Sequence, residues 1–232
     1  MIDISPDITK NIARIAVTVV PILLGMVLHE LAHGYTAYKL GDPTPNLQKR
    51  LTLNPLRHLD VTGSIIFIIT ALTSPFVFGW AKPVNVQPRY FPNPRKGMML
   101  VSFAGPMANF ALAIVFGALY AILTRYVISG QIAITPTVQF FLHTTFMGIW
   151  INLTLGWFNL LPIPALDGGH ILAALLPSSL AQKFYAYGKY GLIFILVMML
   201  SGVLRHIMQP LVSTSAKAIG SVFSIPPQLL FF

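Results

Sequence analysis

IARIAVTVVPILLGMVLHELAHGYTAYKL, residues 12 to 40, places two histidines and a glutamate inside an apolar run long enough to cross a bilayer. A bilayer core of about 30 Å needs roughly 20 apolar helical residues, so the stretch reads as a membrane helix. Residues four apart share one helix face. His29 and His33 in His29-Glu30-Leu31-Ala32-His33 therefore present two imidazoles to one metal ion, with Glu30 placed to act as a base. The same row continues through Gly25 and Ala37, small residues expected to leave room for a metal and a substrate.

The rest of the composition agrees with a membrane setting. Of 232 residues, 55% are apolar and 9% charged, and the mean hydropathy is +0.73, outside the soluble globular range. The net charge of +9 does not argue for nucleic acid, because the basic residues lie between apolar stretches and set membrane orientation. With no cysteine, disulfides, thiolate metal sites and cysteine nucleophiles are excluded, and any metal must be held by His and carboxylate. The first apolar run is too long for a signal peptide and is expected to be retained. No repeat or low-complexity tract is present, so residues 1 to 232 read as a single membrane-embedded domain.

The expected fold is all-α and polytopic, with about four to six transmembrane helices. Segments 12 to 40, 98 to 124, 138 to 161 and 185 to 208 are long enough to span, whereas 166 to 176 is short and 61 to 78 is broken by Ser74-Pro75. Lys49, Arg50 and Arg57 precede the 61 to 78 segment and Arg89, Arg95 and Lys96 follow it. A full crossing would put these clusters on opposite faces, against the positive-inside rule, so the sequence favours a segment, 61 to 94, that enters and returns. Its returning limb, 80 to 94, carries four prolines and cannot be helical. The alternation around Val84, Asn85 and Val86 reads as an extended edge strand that could pair with an incoming peptide; a proline-rich surface loop is the other reading.

A two-histidine zinc site needs a third protein ligand and one open position. Only Glu30 and Asp167 among the six acids lie within apolar stretches, where an ionisable group is by default functional. With Glu30 reserved as base, Asp167 is the expected third ligand. It follows a helix break at Pro162 and Pro164 and precedes Gly168-Gly169, which allow close backbone approach. His170 is the rival ligand, with a hydrogen-bonding role the alternative. On another apolar segment, Gly105, Asn109, Ala113 and Gly117 form a small-residue row suited to helix packing, with Asn109 a secondary candidate for substrate contact. His58 reads as an interfacial polar residue.

Residues 29 to 33 together with Asn159-x-x-Pro162-x-x-x-x-Asp167-Gly168-Gly169 resemble the site-2 protease family of intramembrane zinc metalloproteases, and Gly105-Pro106 resembles the Gly-Pro element that family carries between its metal-binding helices. The resemblance covers most of the chain. It implies one Zn2+ per chain on His29, His33 and Asp167, Glu30 as catalytic acid/base, and Asn159 as a substrate-orienting or oxyanion-stabilising group. It also implies that Trp80 to Pro94 is a re-entrant β element that receives a transmembrane or membrane-associated protein substrate, in regulated intramembrane proteolysis. No PDZ or CBS module is found and segment 61 to 78 is extra, which points to a short branch in a bacterial or archaeal plasma membrane, its site nearer the cytoplasmic face. Two rivals are a metal or ion permease, which needs polar groups continuing to both faces, and an inactive binder of transmembrane partners, which would have lost a ligand or Glu30.

Overall fold

The computed structural model describes residues 6 to 73 and 79 to 230. Its architecture is helical. Helix α1 (Pro6–Lys39) is followed by one turn, α2 (Thr44–Leu47), and by α3 (Val61–Thr73). Next come α4 (Pro94–Ile128) and α5 (Pro136–Asn159), and then the short α6 (Asp167–Leu175). The chain ends with α7 (Ser178–Ala186), α8 (Gly191–Leu200) and α9 (Val203–Phe223).

The starts of the two central helices are written locally. Asn93 accepts from Lys96 N–H at 3.0 Å and Thr135 from Val138 N–H at 3.3 Å, each ahead of a proline at the first helical position. Helix α5 stops before Pro162 and Pro164, and α6 restarts at Asp167. Helices α1, α4 and α5 pack on one another and α6 packs on α4, which sets the last acid beside the first helix.

By length and composition three helical stretches among the described residues suit a membrane: Ile12–Lys39, Pro94–Ile128 and Ser178–Leu200. Helix α5 has the length but carries Gln139, His143, Thr144, Thr145 and Asn152. Large apolar side chains on α4 and α8, including Val115, Ile122, Ile193 and Val197, are half exposed or more, as expected where lipid rather than water is the solvent. The chain is an all-α integral membrane protein.

The segment expected at 185 to 208 is not one helix. The span runs instead from Ser178 through a 3-10 turn at Tyr187–Tyr190 and ends at Leu200, because Gly202 takes φ 76° and turns the chain into α9. Helix α9 escapes a hydropathy reading since it carries Arg205, His206, Gln209 and Lys217. Its other face, Met208, Val212, Ala216 and Ile219, recurs at helical spacing and is buried in the main core with Ile149 and Leu153 of α5.

Helix α3 has 13 residues, about 20 Å, too short for a 30 Å core. After the undescribed residues 74 to 78, Gly79 and Trp80 lie against Gly63 in the first turn of α3, and Ala81 bridges Leu59 just ahead of it. The expected β element is reduced to that single antiparallel bridge, supported by Lys82 N–H donating to His58 O at 2.8 Å. No longer strand forms among the described residues. Prolines remove donors from the limb, and carboxylates rather than a neighbouring strand take two of the remaining ones. Val84 N–H donates to Glu30 Oε2 at 2.8 Å and Gln87 N–H to Asp42 Oδ2 at 2.6 Å. His58 is fully buried within the protein, its Nε2 at 2.9 Å from Thr52 O.

Candidate metal centre

His29 and His33 lie one helical turn apart on α1, and Asp167 is the first residue of α6. The structure brings these three together. His29 Nε2 and His33 Nε2 are 2.9 Å apart, and Asp167 Oδ2 stands 3.1 Å from the first and 3.3 Å from the second. Two close approaches make this convergence geometrically possible. A Cβ at Gly105 of α4 would collide with both imidazole rings, and a Cβ at Gly168 or Gly169 would collide with backbone of Leu160 to Ile163. The chain therefore doubles back tightly between α5 and α6, which aims Asp167 at α1.

Hydrogen bonding fixes the orientation of the two rings and, in their neutral form, the tautomer. Asn109, fully buried on α4, donates through Nδ2 to Gly25 O and to Asn152 Oδ1, both at 3.1 Å. Its Oδ1 is thereby turned to His29 Nδ1, 2.7 Å away, as an acceptor. His33 Nδ1 donates to Val101 O, also at 2.7 Å. With the proton of each neutral imidazole held on Nδ1, each Nε2 offers a lone pair. Two lone pairs and a carboxylate oxygen face one another, and Asp167 Oδ2 is buried without a hydrogen-bond donor.

Three acceptors at this distance repel unless a cation lies between them. Zinc bonds to N and O at about 2.0 to 2.1 Å, which sets tetrahedral donors about 3.3 Å apart; the separations here, 2.9 to 3.3 Å, match that donor set. The Nδ1 contacts supply the outer hydrogen bonds that metal-bound histidines need. The residues present fit a zinc ion.

The fold and donor set agree with the comparison to known proteins. The profile of Peptidase family M50 matches residues 17–203. The chain belongs to Peptidase family M50. This M50 chain is 36% identical over 208 residues to "Putative zinc metalloprotease YwhC" of Bacillus subtilis, a match covering 89% of this chain and 90% of that one. It is 29% identical to "Putative zinc metalloprotease Rip2" of Mycolicibacterium smegmatis, over 88% of this chain and 75% of the relative. "Zinc metalloprotease MJ0392" of Methanocaldococcus jannaschii is 27% identical, over 85% of this chain and 46% of its own length. No solved structure matches. The M50 protein is thus a membrane-integral zinc metalloprotease of the site-2 protease type, with Zn2+ as its cofactor.

Other residues singled out in the sequence have distinct places in this M50 fold. Glu30 adjoins the cluster and holds Val84 N–H of the limb. Asn159 donates to Leu155 O of its own helix at 3.0 Å, and no described hydrogen bond joins it to the triad. His170 stands outside the triad, its Nδ1 at 3.1 Å from Tyr185 Oη. Asn109 is fully buried, with its Oδ1 at 2.7 Å from His29 Nδ1. The small residues flanking the histidines do not open space for substrate: the Gly25 Cβ position is occupied by Asn152, Leu155 and Asn109, and Ala37 is fully buried beside Phe91 and Val101. They admit neighbouring helices instead. Asn152 and Asp42 were missed by sequence reasoning. Asn152 had a visible signal, a carboxamide in the middle of an apolar helix, while Asp42 looked like an ordinary polar flank.

Proposed function

We propose that His29, His33 and Asp167 hold the zinc ion, that Glu30 is the catalytic acid/base, and that the enzyme hydrolyses peptide bonds of transmembrane or membrane-associated proteins, as in regulated intramembrane proteolysis. The observation that carries this reading is the meeting of three lone-pair donors, with the protons of both imidazoles directed elsewhere. When bound, zinc supplies Lewis-acid polarisation of a peptide carbonyl and acidification of water. The chain's own residues do the rest. Glu30 accepts a proton from the attacking water and returns it to the leaving amine. Asn109 and Val101 O keep the rings in register, and Asn159, at the α5 end of the break before Asp167, orients the substrate.

The limb from Trp80 to Pro94, together with 61 to 78, acts as one re-entrant segment, and the whole chain as one domain. Support comes from the return of Gly79 and Trp80 to the first turn of α3. The extended stretch Val84, Asn85 and Val86 receives the unwound substrate. A helical peptide hides its carbonyls in i to i+4 bonds and must open first. His29 lies ten residues from the end of α1 at Lys39, about 15 Å. Lys39, Lys49, Arg57, Arg89 and Lys96 lie at or after that end of α1 in the sequence, before the apolar part of α4. The positive-inside rule supports a site nearer the cytoplasmic face, and the membrane of this reading is a bacterial or archaeal plasma membrane.

The test compares zinc content and cleavage of a model transmembrane peptide between the wild type and Glu30→Gln. The substituted enzyme should keep zinc and lose at least about 100-fold in rate, the usual weight of a general base. Wild-type cleavage by a zinc-loaded Glu30→Gln protein would remove Glu30 from this role.

A further inference from the structure

We propose that Val84, through its backbone N–H, is a positioning residue for the hydrolysis: it holds Glu30 Oε2 and so leaves Oε1 as the oxygen that exchanges protons with water and the leaving amine. This rests on the assignment of Glu30 as acid/base and adds the group that orients it.

The limb follows α1 from Glu30 to Asp42. Glu30 and Gly34 form one row of the helix, next to the row of His29 and His33. Val84 meets that row twice. Its N–H donates to Glu30 Oε2 at 2.8 Å, and its side chain lies against Gly34, where an added Cβ would stand 3.4 Å from Val84 Cγ1. Val86 packs against Ala37, Phe91 and Val101. Val84 and Val86 thus both face the protein, with Asn85 exposed between them, the alternation of extended backbone. Successive N–H groups of such backbone point to opposite sides, so the Asn85 amide is turned away from Glu30.

Two carboxylates serve the limb, and they serve it differently. Asp42 is fully buried and both its oxygens are used, Oδ1 by Thr44 N–H at 2.9 Å and Oδ2 by Gln87 N–H at 2.6 Å. It is an anchor. Glu30 is only half-buried, and among the described residues its Oε1 accepts no hydrogen bond. One oxygen is tied and the other free, the arrangement a base within reach of water requires. The tie also survives the reaction. As Oε1 takes the proton, the O–H bond of water breaks, and Oε2 of the resulting acid, now its carbonyl oxygen, still accepts from Val84. The proton then passes from Oε1 to the leaving amine, which restores the carboxylate. Without the Val84 contact the long Glu30 side chain would regain its rotamer freedom.

The full chain in detergent is assayed for zinc content, for cleavage of a model transmembrane peptide and for amide hydrogen exchange. Val84→Pro deletes the N–H in a limb that already carries four prolines. It should keep zinc and lose about 10- to 100-fold in kcat, the cost of a misplaced catalytic group, while KM stays within about threefold, as for a contact that acts in the transition state. Gly34→Val is the second variant, because its branched side chain displaces Val84 and keeps the amide in the chain; it should show the same split. In Glu30→Ala the Val84 amide should exchange at least about 10-fold faster, since its bond to a carboxylate is lost, and the Gln87 amide at the wild-type rate. Unchanged kcat in zinc-loaded Val84→Pro or Gly34→Val overturns the proposal, as does a defect confined to KM or unaltered Val84 exchange in Glu30→Ala. Glu30→Gln separates the two levels. An inactive Glu30→Gln beside a fully active Val84→Pro removes the positioning role alone, whereas wild-type cleavage by Glu30→Gln removes the base assignment as well.

Discussion

Replacing Asn109 by leucine should weaken zinc binding without touching any metal donor. The substitution removes the acceptor that holds His29 Nδ1–H at 2.7 Å, so the ring can rotate and its proton can move to Nε2. Loss of such an outer contact costs about 10- to 100-fold in metal affinity, or about 1.4 to 2.7 kcal/mol. Stability falls separately, because Gly25 O and Asn152 Oδ1 lose their donor inside the protein, at about 1 to 3 kcal/mol for each unserved group. The control is Asn152→Leu, which cuts the bonds from Asn109 and to Gly148 O but leaves the His29 contact in place. Zinc affinity is measured by competition with a chelator of known affinity, and stability by thermal unfolding in the same detergent. The expected pattern is comparable destabilisation of both variants with a zinc defect confined to Asn109→Leu. An Asn109→Leu protein that binds zinc within twofold of wild type refutes the positioning role, as does an equal zinc defect in both variants.

Two further outcomes follow from the same geometry. Gly105→Ala places a methyl group against both imidazoles; it should cost about 1 to 3 kcal/mol through overpacking and lower zinc affinity at least about 10-fold, so stoichiometric zinc at wild-type affinity would contradict the observed closeness of α4 to α1. Asp42→Ala deprives Thr44 N–H and Gln87 N–H of a fully buried acceptor, each bond to a carboxylate being worth about 1.5 to 3 kcal/mol. Amide hydrogen exchange across residues 82 to 90 should then quicken at least about 10-fold with zinc content unchanged, and unaltered exchange would show that Asp42 does not anchor the limb.

Much of the candidate metal centre was legible in the sequence because it rests on local spacing and on scarcity. Two histidines four residues apart share a helix face whatever surrounds them, and an acid is expensive enough in an apolar stretch that Glu30 and Asp167 declare themselves. Proline and glycine around Asp167 announced a break and a close approach, and the backbone of Leu160 to Ile163 indeed fills the space beside Gly168 and Gly169. The helical class was likewise a local matter of apolar length, whereas the caps that start α4 at Pro94 and α5 at Pro136, ahead of the expected 98 and 138, were not read. Tertiary structure alone decided the partners: that Asn109 turns its oxygen to His29, that Gly25 and Ala37 admit helices rather than substrate, and that carboxylates of Glu30 and Asp42 replace a second strand along the limb. It also revealed α9, whose apolar face is buried against α5 while its charged residues mask it from any hydropathy average. Each of these depends on contacts between residues tens of positions apart, and a side chain's spacing along its own helix carries no record of what stands opposite.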